Sequence, residues 1–214
     1  DKLYLLDSRL GDLMKTSGVS DYAQVAEKLE RGTDKAFVSA VVDRITTHET
    51  RFFRDESIFD GLVMQIIPEW MKRNGIVANS LFGGSLSMLE SGGVTSIGNN
   101  PAPAVSRRLS IWCAACSTGQ EPYSIAMLLN EKMPLLARMT DIYATDISEI
   151  TIAKAKDGFF SKFEIGRGLP DLYLGKYFTK VDDNKFQIKS EIRSRIKFGV
   201  HNLISEVFPS QNDI

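Results

Sequence analysis

The segment Trp112-Cys-Ala-Ala-Cys-Ser-Thr-Gly-Gln-Glu-Pro-Tyr-Ser124 decides the fold class of this chain. The apolar residues 109–113 lead into a turn of small residues that ends at Gly119, and Pro122 then stands where the first turn of a helix tolerates a proline. This order predicts a buried strand, a tight turn and a helix. Small side chains let the backbone of such a turn approach a ligand closely, as glycines do in dinucleotide-binding loops.

A second strand and a second helix follow, over residues 141–145 and 148–156. They complete a βαβ unit, which predicts a parallel sheet. Asp146 ends the second strand, 27 residues after Gly119, where an acidic side chain can accept hydrogen bonds from both ribose hydroxyls of a nucleoside. Because the turn lacks the GxGxxG pattern and the lysine of a phosphate-binding loop, the prediction is a nucleoside ligand rather than pyrophosphate. The alternative is a tight turn that binds no ligand.

The first third of the chain has a different pattern. Four sets of apolar residues, each with helical spacing, lie before residue 74. Breaks between the sets fall near residues 18–20 and 32–33. Residues 1–73 are therefore predicted to form a small helical domain with short connections.

A change in composition separates this region from the strands. Residues 74–106 contain six of the 16 glycines and a single charge, Glu90, which predicts a glycine-rich linker or insertion. The α/β domain then occupies residues 107–214. Within it, residues 186–188 and 196–200 are predicted strands with a charged piece between them.

Overall composition excludes several classes of protein. The 214 residues are 43% hydrophobic and 25% charged, which excludes a disordered, collagenous or disulfide-scaffold chain. The net charge of −1 lacks the overall basic excess that is typical of nucleic-acid-binding proteins. No run approaches the roughly 20 apolar residues of a membrane span. Without a signal-peptide pattern, the expectation is a cytoplasmic protein that binds neither nucleic acid nor membrane. A local excess of five basic residues over residues 154–200 indicates a solvated face or a docking surface for an acidic partner.

The pair Cys113 and Cys116 permits a redox interpretation, since Trp-Cys-x-x-Cys is similar to a thioredoxin centre. Two features disfavour it. A helical domain precedes the motif, and the proline that should face the cysteines has only Pro134 and Pro170 as nearby candidates.

Metal chemistry is also disfavoured, and no metal site is predicted. Zinc needs four ligands, and beyond the two cysteines the chain offers only His48 and His201 as histidines. The pair His48–Glu49 does not begin an HExxH motif, because Phe52 stands where the second histidine is required.

Two further segments carry polar residues beside predicted elements. Residues 46–55, taken alone, are typical of a helix end with its phenylalanines in the core and its arginines in solvent. In residues 198–203, His201 and Asn202 follow a strand, so their side chains could face the same crevice as Asp146.

Taken together, these segments resemble the CheR family, the chemotaxis receptor methyltransferases that use S-adenosylmethionine to methylate glutamate side chains. The resemblance covers nearly the whole chain and is specific as a combination rather than segment by segment. The matching motifs are TTxETxFFR (46–54), WCAACSTGQEPYS (112–124), YATDI (143–147), RGLPxxxLxKYF (167–178) and FxxxNL (198–203).

The resemblance implies an N-terminal helical domain followed by a doubly wound S-adenosylmethionine-dependent methyltransferase domain. A small antiparallel β-subdomain is inserted in the latter, and residues 168–200 fit this insert. The activity implied is that of a protein-glutamate O-methyltransferase, which gives glutamyl methyl esters and S-adenosylhomocysteine for sensory adaptation. The implied partner is the cytoplasmic domain of methyl-accepting chemoreceptors. The enzyme itself is expected to be a monomer.

Site residues follow from the resemblance position by position, and they make the cysteine pair part of a ligand-lining turn. Arg54 is implied to lie nearest the transferring methyl, as the catalytic residue. The cofactor-binding set is His48 (where the family more usually has Asn), Thr50 and Arg54 from the helical side, Ala115 and Cys116 along the adenosyl or methionine portion, Glu121 at the methionine ammonium, Asp146 at the ribose, and Asn202 and Leu203 near the adenine.

The family pattern continues past Asp213 and Ile214 into a CRNVxIYF segment that adds a strand, so the chain is expected to be truncated within its methyltransferase domain. A cofactor-binding module without turnover is therefore the alternative function. The short segment between Phe178 and Phe186 indicates docking without a receptor tether peptide. The basic residues of the first helices expected to contribute to docking are Lys2, Arg9 and Lys15.

Overall fold

The computed structural model describes residues 3–76, 107–205 and 212–214. Lys2 and most of the predicted linker, residues 77–106, lie outside the described residues.

Three helices open the described chain. Aspartate side chains cap the second and the third of them. Asp21 accepts a hydrogen bond from Gln24 N at 2.9 Å, and Asp34 accepts one from Phe37 N at 3.0 Å. The connections fall at the predicted breaks. The helices are α1 (Leu3–Thr16), α2 (Tyr22–Arg31) and α3 (Lys35–Ile45).

A second helical stretch runs over α4 (Glu56–Gly61), a π-helical turn (Leu62–Ile66) and α5 (Ile67–Arg73). Pro68 accounts for the π-helical turn. It has no N–H to donate to the preceding turn, and its ring would clash with the carbonyl four residues before it, so the backbone widens to accommodate it.

Buried side chains form two separate clusters, and they divide the helices differently from the predicted boundary at residue 73. α1–α3 share a small core of their own, whereas Phe52, Phe59 and Trp70 belong to the large core around the strands. The predicted domain division stays a prediction, but packing ties residues 52–71 to the α/β region. The small core consists of Leu10, Leu13, Val19, Val25, Phe37 and Val41.

A parallel sheet confirms the predicted α/β class. Its strands are, in spatial order, β1 (Leu109–Ala114), β2 (Thr140–Asp146) and β6 (Ile196–Val200). Ile111 lies opposite Ile142, which in turn lies opposite Ile196. On the other edge of β1, Asp213 N and Ile214 N donate to Ser110 O at 2.9 and 3.2 Å. The elements are β1 (Leu109–Ala114), α6 (Gln120–Lys132), α7 (Pro134–Arg138), β2 (Thr140–Asp146), α8 (Glu149–Asp157) and β6 (Ile196–Val200).

A second, antiparallel sheet lies between α8 and β6 in the sequence. Its strands are, in spatial order, β3 (Phe159–Ser161), β5 (Lys185–Ile188) and β4 (Phe178–Lys180). It corrects the predicted insert of residues 168–200 at both ends, since the first of these strands starts at Phe159 and residues 196–200 belong to the parallel sheet. The elements are β3 (Phe159–Ser161), α9 (Lys162–Gly166), α10 (Asp171–Tyr177), β4 (Phe178–Lys180), β5 (Lys185–Ile188) and α11 (Ser190–Arg193).

Candidate functional site

The turn after β1 is built from left-handed backbone conformations. Ala115 has φ of 57°, Ser117 of 50° and Gly119 of 92°. At Gly119 a Cβ would meet Ala155 Cβ at 3.1 Å, so a glycine is needed for both its conformation and its close approach to α8. Ala115 and Ser117 adopt this conformation despite their side chains, which is a strain typical of functional loops.

Asp146 holds this turn from the end of β2. Its carboxylate is buried, with 7% of the residue exposed. One oxygen accepts the Ser117 N–H at 2.8 Å, and the other accepts the Ser148 N–H at 3.0 Å. Because β1, β2 and β6 are parallel, the carboxylate lies at the edge of the sheet where all three strands end.

Residues 46–55 lie against the same edge. The Ser117 hydroxyl donates to His48 O at 3.3 Å, and Phe53 N donates to the Ser124 hydroxyl at 3.1 Å. Between these contacts Phe52 is fully buried, with its ring 4.9 Å from that of Phe160. The loop is therefore fixed to the α/β core by Phe52 and by hydrogen bonds between its backbone and two serine side chains.

Two cavities of about 290 Å³ each open at this edge, on either side of Ala115. The first combines cationic and acidic side chains with an apolar wall from α4 and the π-helical turn. Its lining includes Thr50, Arg51, Arg54, Ile58, Phe59, Leu62, Ile66, Trp112, Cys116, Glu121 and Ile214.

The second cavity is more polar and lies over the ends of β2 and β6. Its lining is Thr46, Thr47, His48, Glu49, Ala115, Ser117, Asp146, Ile147, His201, Asn202 and Leu203.

Every site residue predicted from the resemblance lies on one of these two cavities. Ala115 contributes to both, and the binding role assigned to each residue stays a prediction. The first cavity has Thr50, Arg54, Cys116 and Glu121, and the second has His48, Asp146, Asn202 and Leu203.

Sequence reasoning missed Glu49 and Arg167 as parts of this site. Glu49 lines both cavities, and its Oε1 accepts a hydrogen bond from Arg167 Nη2 at 3.1 Å. Both residues stand in the matching motifs, TTxETxFFR and RGLPxxxLxKYF, but the resemblance gave neither of them a role in the site. The signal that could have found Glu49 is its place between His48 and Thr50, which are both predicted site residues.

Glu121 and the cysteines differ in what they can do chemically. The Glu121 side chain reaches the first cavity, and its partial desolvation raises the pKa of its carboxyl. Burial raises the pKa of the Cys113 thiol well above its usual range and that of Cys116 to about 12, where the Asp146 carboxylate adds to the effect. Because the thiolate is the reactive form, these environments disfavour redox chemistry.

We expect both cysteines to be unreactive in the folded chain. They are 3% and 2% exposed, and at pH 8 a thiol with a pKa of about 12 is ionised in roughly one molecule in 10,000. Titration with an aromatic disulfide reagent should find no rapidly reacting thiol in the native chain and two after unfolding in guanidinium. Rapid native reaction, or an internal disulfide after mild oxidation, would restore the redox interpretation.

The described residues contain neither a metal-binding cluster nor a membrane-spanning helix. In residues 3–76, 107–205 and 212–214, no group of three or more His, Cys, Asp or Glu side chains could hold a metal ion. No helix within these ranges is both long and apolar enough to cross a membrane.

Comparison with known proteins gives consistent matches. Residues 94–214 match the family model described as CheR methyltransferase, SAM binding domain. The chain is 32% identical over 208 residues to the chemotaxis protein methyltransferase Cher2 of Pseudomonas putida and 32% identical over 210 residues to chemotaxis protein methyltransferase 1 of Pseudomonas aeruginosa. It is 30% identical over 210 residues to the chemotaxis protein methyltransferase of Borreliella burgdorferi. The alignments cover 95–97% of this chain and 64–65% of these relatives.

Proposed function

The chain belongs to the CheR methyltransferase family, and from this premise we propose that it methylates glutamate side chains on the cytoplasmic helices of chemoreceptors. S-adenosylmethionine is the cofactor, since the matched domain is the SAM-binding domain of the family. The observation that carries the proposal is the two adjoining cavities at the carboxyl ends of the parallel strands, which together take in every residue that the resemblance assigns to the cofactor.

The side chains around the cavities fit such a cofactor. Each Asp146 oxygen uses one acceptor site on a backbone N–H, and a carboxylate has about four such sites, so two remain for ribose hydroxyls. Glu121 lies in the other cavity with its pKa raised by desolvation. A carboxylate in that position gains from a neighbouring cation, which suits the ammonium group of the methionine portion.

The chemistry requires little acid–base catalysis. When bound, S-adenosylmethionine supplies a sulfonium methyl group that is open to in-line displacement. A receptor glutamate, with an ordinary pKa of about 4.3, is already ionised near neutral pH and needs no general base. The positive and negative charges cancel during transfer, so the role of the protein is to align the two groups and to exclude water.

Arg54 is the residue best suited to align the acceptor. It is exposed on the wall of the first cavity, and its guanidinium can form paired hydrogen bonds with a carboxylate. Arg51 lines the same cavity and donates to Arg54 O at 2.9 Å, which helps to fix the backbone there.

The test is transfer of labelled methyl from S-adenosylmethionine to a chemoreceptor cytoplasmic fragment, measured as alkali-labile ester. We expect transfer by the unsubstituted chain, and for Arg54→Ala a kcat lower by roughly 10–100-fold because the acceptor is misaligned. The affinity for S-adenosylhomocysteine should fall by a smaller factor than the rate, since Arg54 is assigned to the acceptor as well as to the cofactor.

Arg73→Ala is the control, because Arg73 is exposed and pairs with Glu69 on α5, away from both cavities. A variant of Arg54 that loses cofactor affinity but keeps its rate would remove the catalytic role. Cofactor binding by the unsubstituted chain without any transfer would favour the alternative, a binding module without turnover.

A further inference from the structure

A carboxylate from the helical region reaches the N-terminus of α8. Asp43 lies near the end of α3, and its Oδ1 accepts a hydrogen bond from the Ser148 hydroxyl at 2.7 Å. Ser148 is almost fully buried, with 2% of the residue exposed, and its side chain also caps α8 by accepting the Thr151 N–H at 3.2 Å. The hydroxyl therefore donates to Asp43 and accepts from Thr151, so its orientation is fixed from both sides.

The same serine fixes Asp146. Ser148 N donates to Asp146 Oδ1 at 3.0 Å, and the other oxygen of Asp146 holds the turn after β1 through Ser117 N. A continuous path of hydrogen bonds thus joins α3 to the carboxylate in the second cavity. It passes from Asp43 through one residue, Ser148, to Asp146.

Asp43 also positions His48 on the wall of that cavity. His48 Nε2 lies 2.9 Å from the carbonyl oxygen of Asp43 and 3.4 Å from its Oδ1. Since the carbonyl can only accept, this hydrogen bond requires the tautomer of His48 that has its proton on Nε2. Asp43 thus contacts His48, which lines the second cavity, and Ser148, which holds the Asp146 carboxylate there, although Asp43 does not line the cavity itself.

We infer that the Asp43 carboxylate is a positioning group for the nucleoside half of the cofactor site, acting through Ser148 on Asp146, while the main-chain carbonyl of Asp43 holds His48. The inference rests on the proposed function. It makes α3, which belongs to the separate small hydrophobic core, a determinant of cofactor affinity. Disturbing Asp43 frees the Ser148 hydroxyl to rotate and loosens the N–H that orients the Asp146 carboxylate.

Calorimetric titration with S-adenosylhomocysteine tests this inference on Asp43→Ala, Ser148→Ala and the double variant. Each single change should weaken binding by about threefold to tenfold, the range expected for one hydrogen bond. The double variant should bind no more weakly than the weaker single variant, because both changes break one path. Asp43→Asn should bind nearly as the unsubstituted chain does, because its amide oxygen can still accept the Ser148 hydroxyl.

Val41→Ala is the matched control for a merely structural effect. Val41 lies on the same helix, is 2% exposed and packs in the small core. Its aliphatic side chain cannot form a hydrogen bond with Ser148. Its loss should lower the unfolding temperature and leave the affinity unchanged. If Asp43→Ala does not fold, Ser148→Ala and Ser148→Thr make the same comparison, since threonine keeps the hydroxyl and should bind more tightly than alanine.

The outcomes separate this inference from the proposed function. Failure of the unsubstituted chain to bind S-adenosylhomocysteine would overturn both. Normal binding by the unsubstituted chain together with unchanged affinity in Asp43→Ala, or additive losses in the double variant, would overturn the positioning role alone.

Discussion

Gly168→Ala is expected to destabilise the chain by at least about 2 kcal/mol and to disturb the cofactor site. Gly168 has φ of 94°, and a Cβ at this position would lie 2.2 Å from the carbonyl oxygen of Phe52. A non-glycine residue in such a conformation costs roughly 1–3 kcal/mol, and overpacking costs about 1–3 kcal/mol more. Thermal unfolding should record a fall of roughly 4–8 °C for a loss of 2 kcal/mol.

Relaxation around Gly168 is difficult because the clash is with backbone. The ring of Phe52 is fully buried and packs at 4.9 Å from Phe160 and 5.7 Å from Phe178. Phe52 lies between Thr50 and the cavity residue Arg54, so moving its carbonyl shifts the loop that lines both cavities. We therefore expect weaker binding of S-adenosylhomocysteine even at temperatures where Gly168→Ala remains folded.

Gly166→Ala provides a matched control two residues away. Gly166 ends α9 with an ordinary backbone conformation, and a Cβ there would meet nothing within 4 Å. Its replacement should leave stability unchanged or raise it by about 0.4–1 kcal/mol. Equal unfolding temperatures for the two variants would refute the close packing of the Gly168 turn on Phe52.

Local sequence signals predicted the strands and the helix that carry the central part of the candidate site. The run from strand to small-residue turn to helix gave β1 and α6, and the acid after the next apolar run gave Asp146 at the end of β2. These features are readable because each depends on neighbours in the chain: apolar runs, small residues in a turn and a proline in the first helical turn.

Features that depend on distant partners were less predictable. Residues 196–200 have the pattern of a strand, but only the register with Ile142 and Ala144 shows that they belong to the parallel sheet rather than to the insert. The grouping of Phe52 and Trp70 with the α/β core likewise arises from contacts between distant residues. Periodicity identifies which face of an element is buried, not which neighbour buries it.

The polar connections of the site were the least visible in the sequence. In the sequence, Asp43 has the pattern of an exposed residue near the end of a helix. Ser148 has the pattern of an ordinary helix cap. The two residues are 105 positions apart in the sequence, so no local pattern predicts their hydrogen bond. The same holds for Arg167 and Glu49, which are 118 positions apart.

The change at Asp146 should have the largest effect on binding. We expect Asp146→Asn to weaken the binding of S-adenosylhomocysteine by about 100-fold or more, because hydrogen bonds to a charged group contribute roughly 1.5–3 kcal/mol each and two ribose hydroxyls are assigned to this carboxylate. The amide also cannot accept both the Ser117 and the Ser148 N–H, since one of its two polar atoms is a donor. Some loss of stability will therefore accompany the loss of affinity.

Asp141→Asn separates the two effects. Asp141 lies at the opposite end of β2 and pairs with Arg108, whose Nε is 2.6 Å from Oδ2. This pair is partly exposed, so its loss should cost at most about 1 kcal/mol of stability and leave binding unchanged.

A change in the ligand isolates the ribose contact itself. The unsubstituted chain should bind the 2′-deoxy analogue of S-adenosylhomocysteine clearly more weakly than the parent compound, because one hydroxyl bonded to the carboxylate is lost. In Asp146→Asn the two ligands should bind with similar affinity, since the partner of that hydroxyl is already impaired. If the variant folds and still discriminates between the two ligands as strongly as the unsubstituted chain does, the ribose does not bind at Asp146, and the nucleoside must be oriented by other residues of the second cavity.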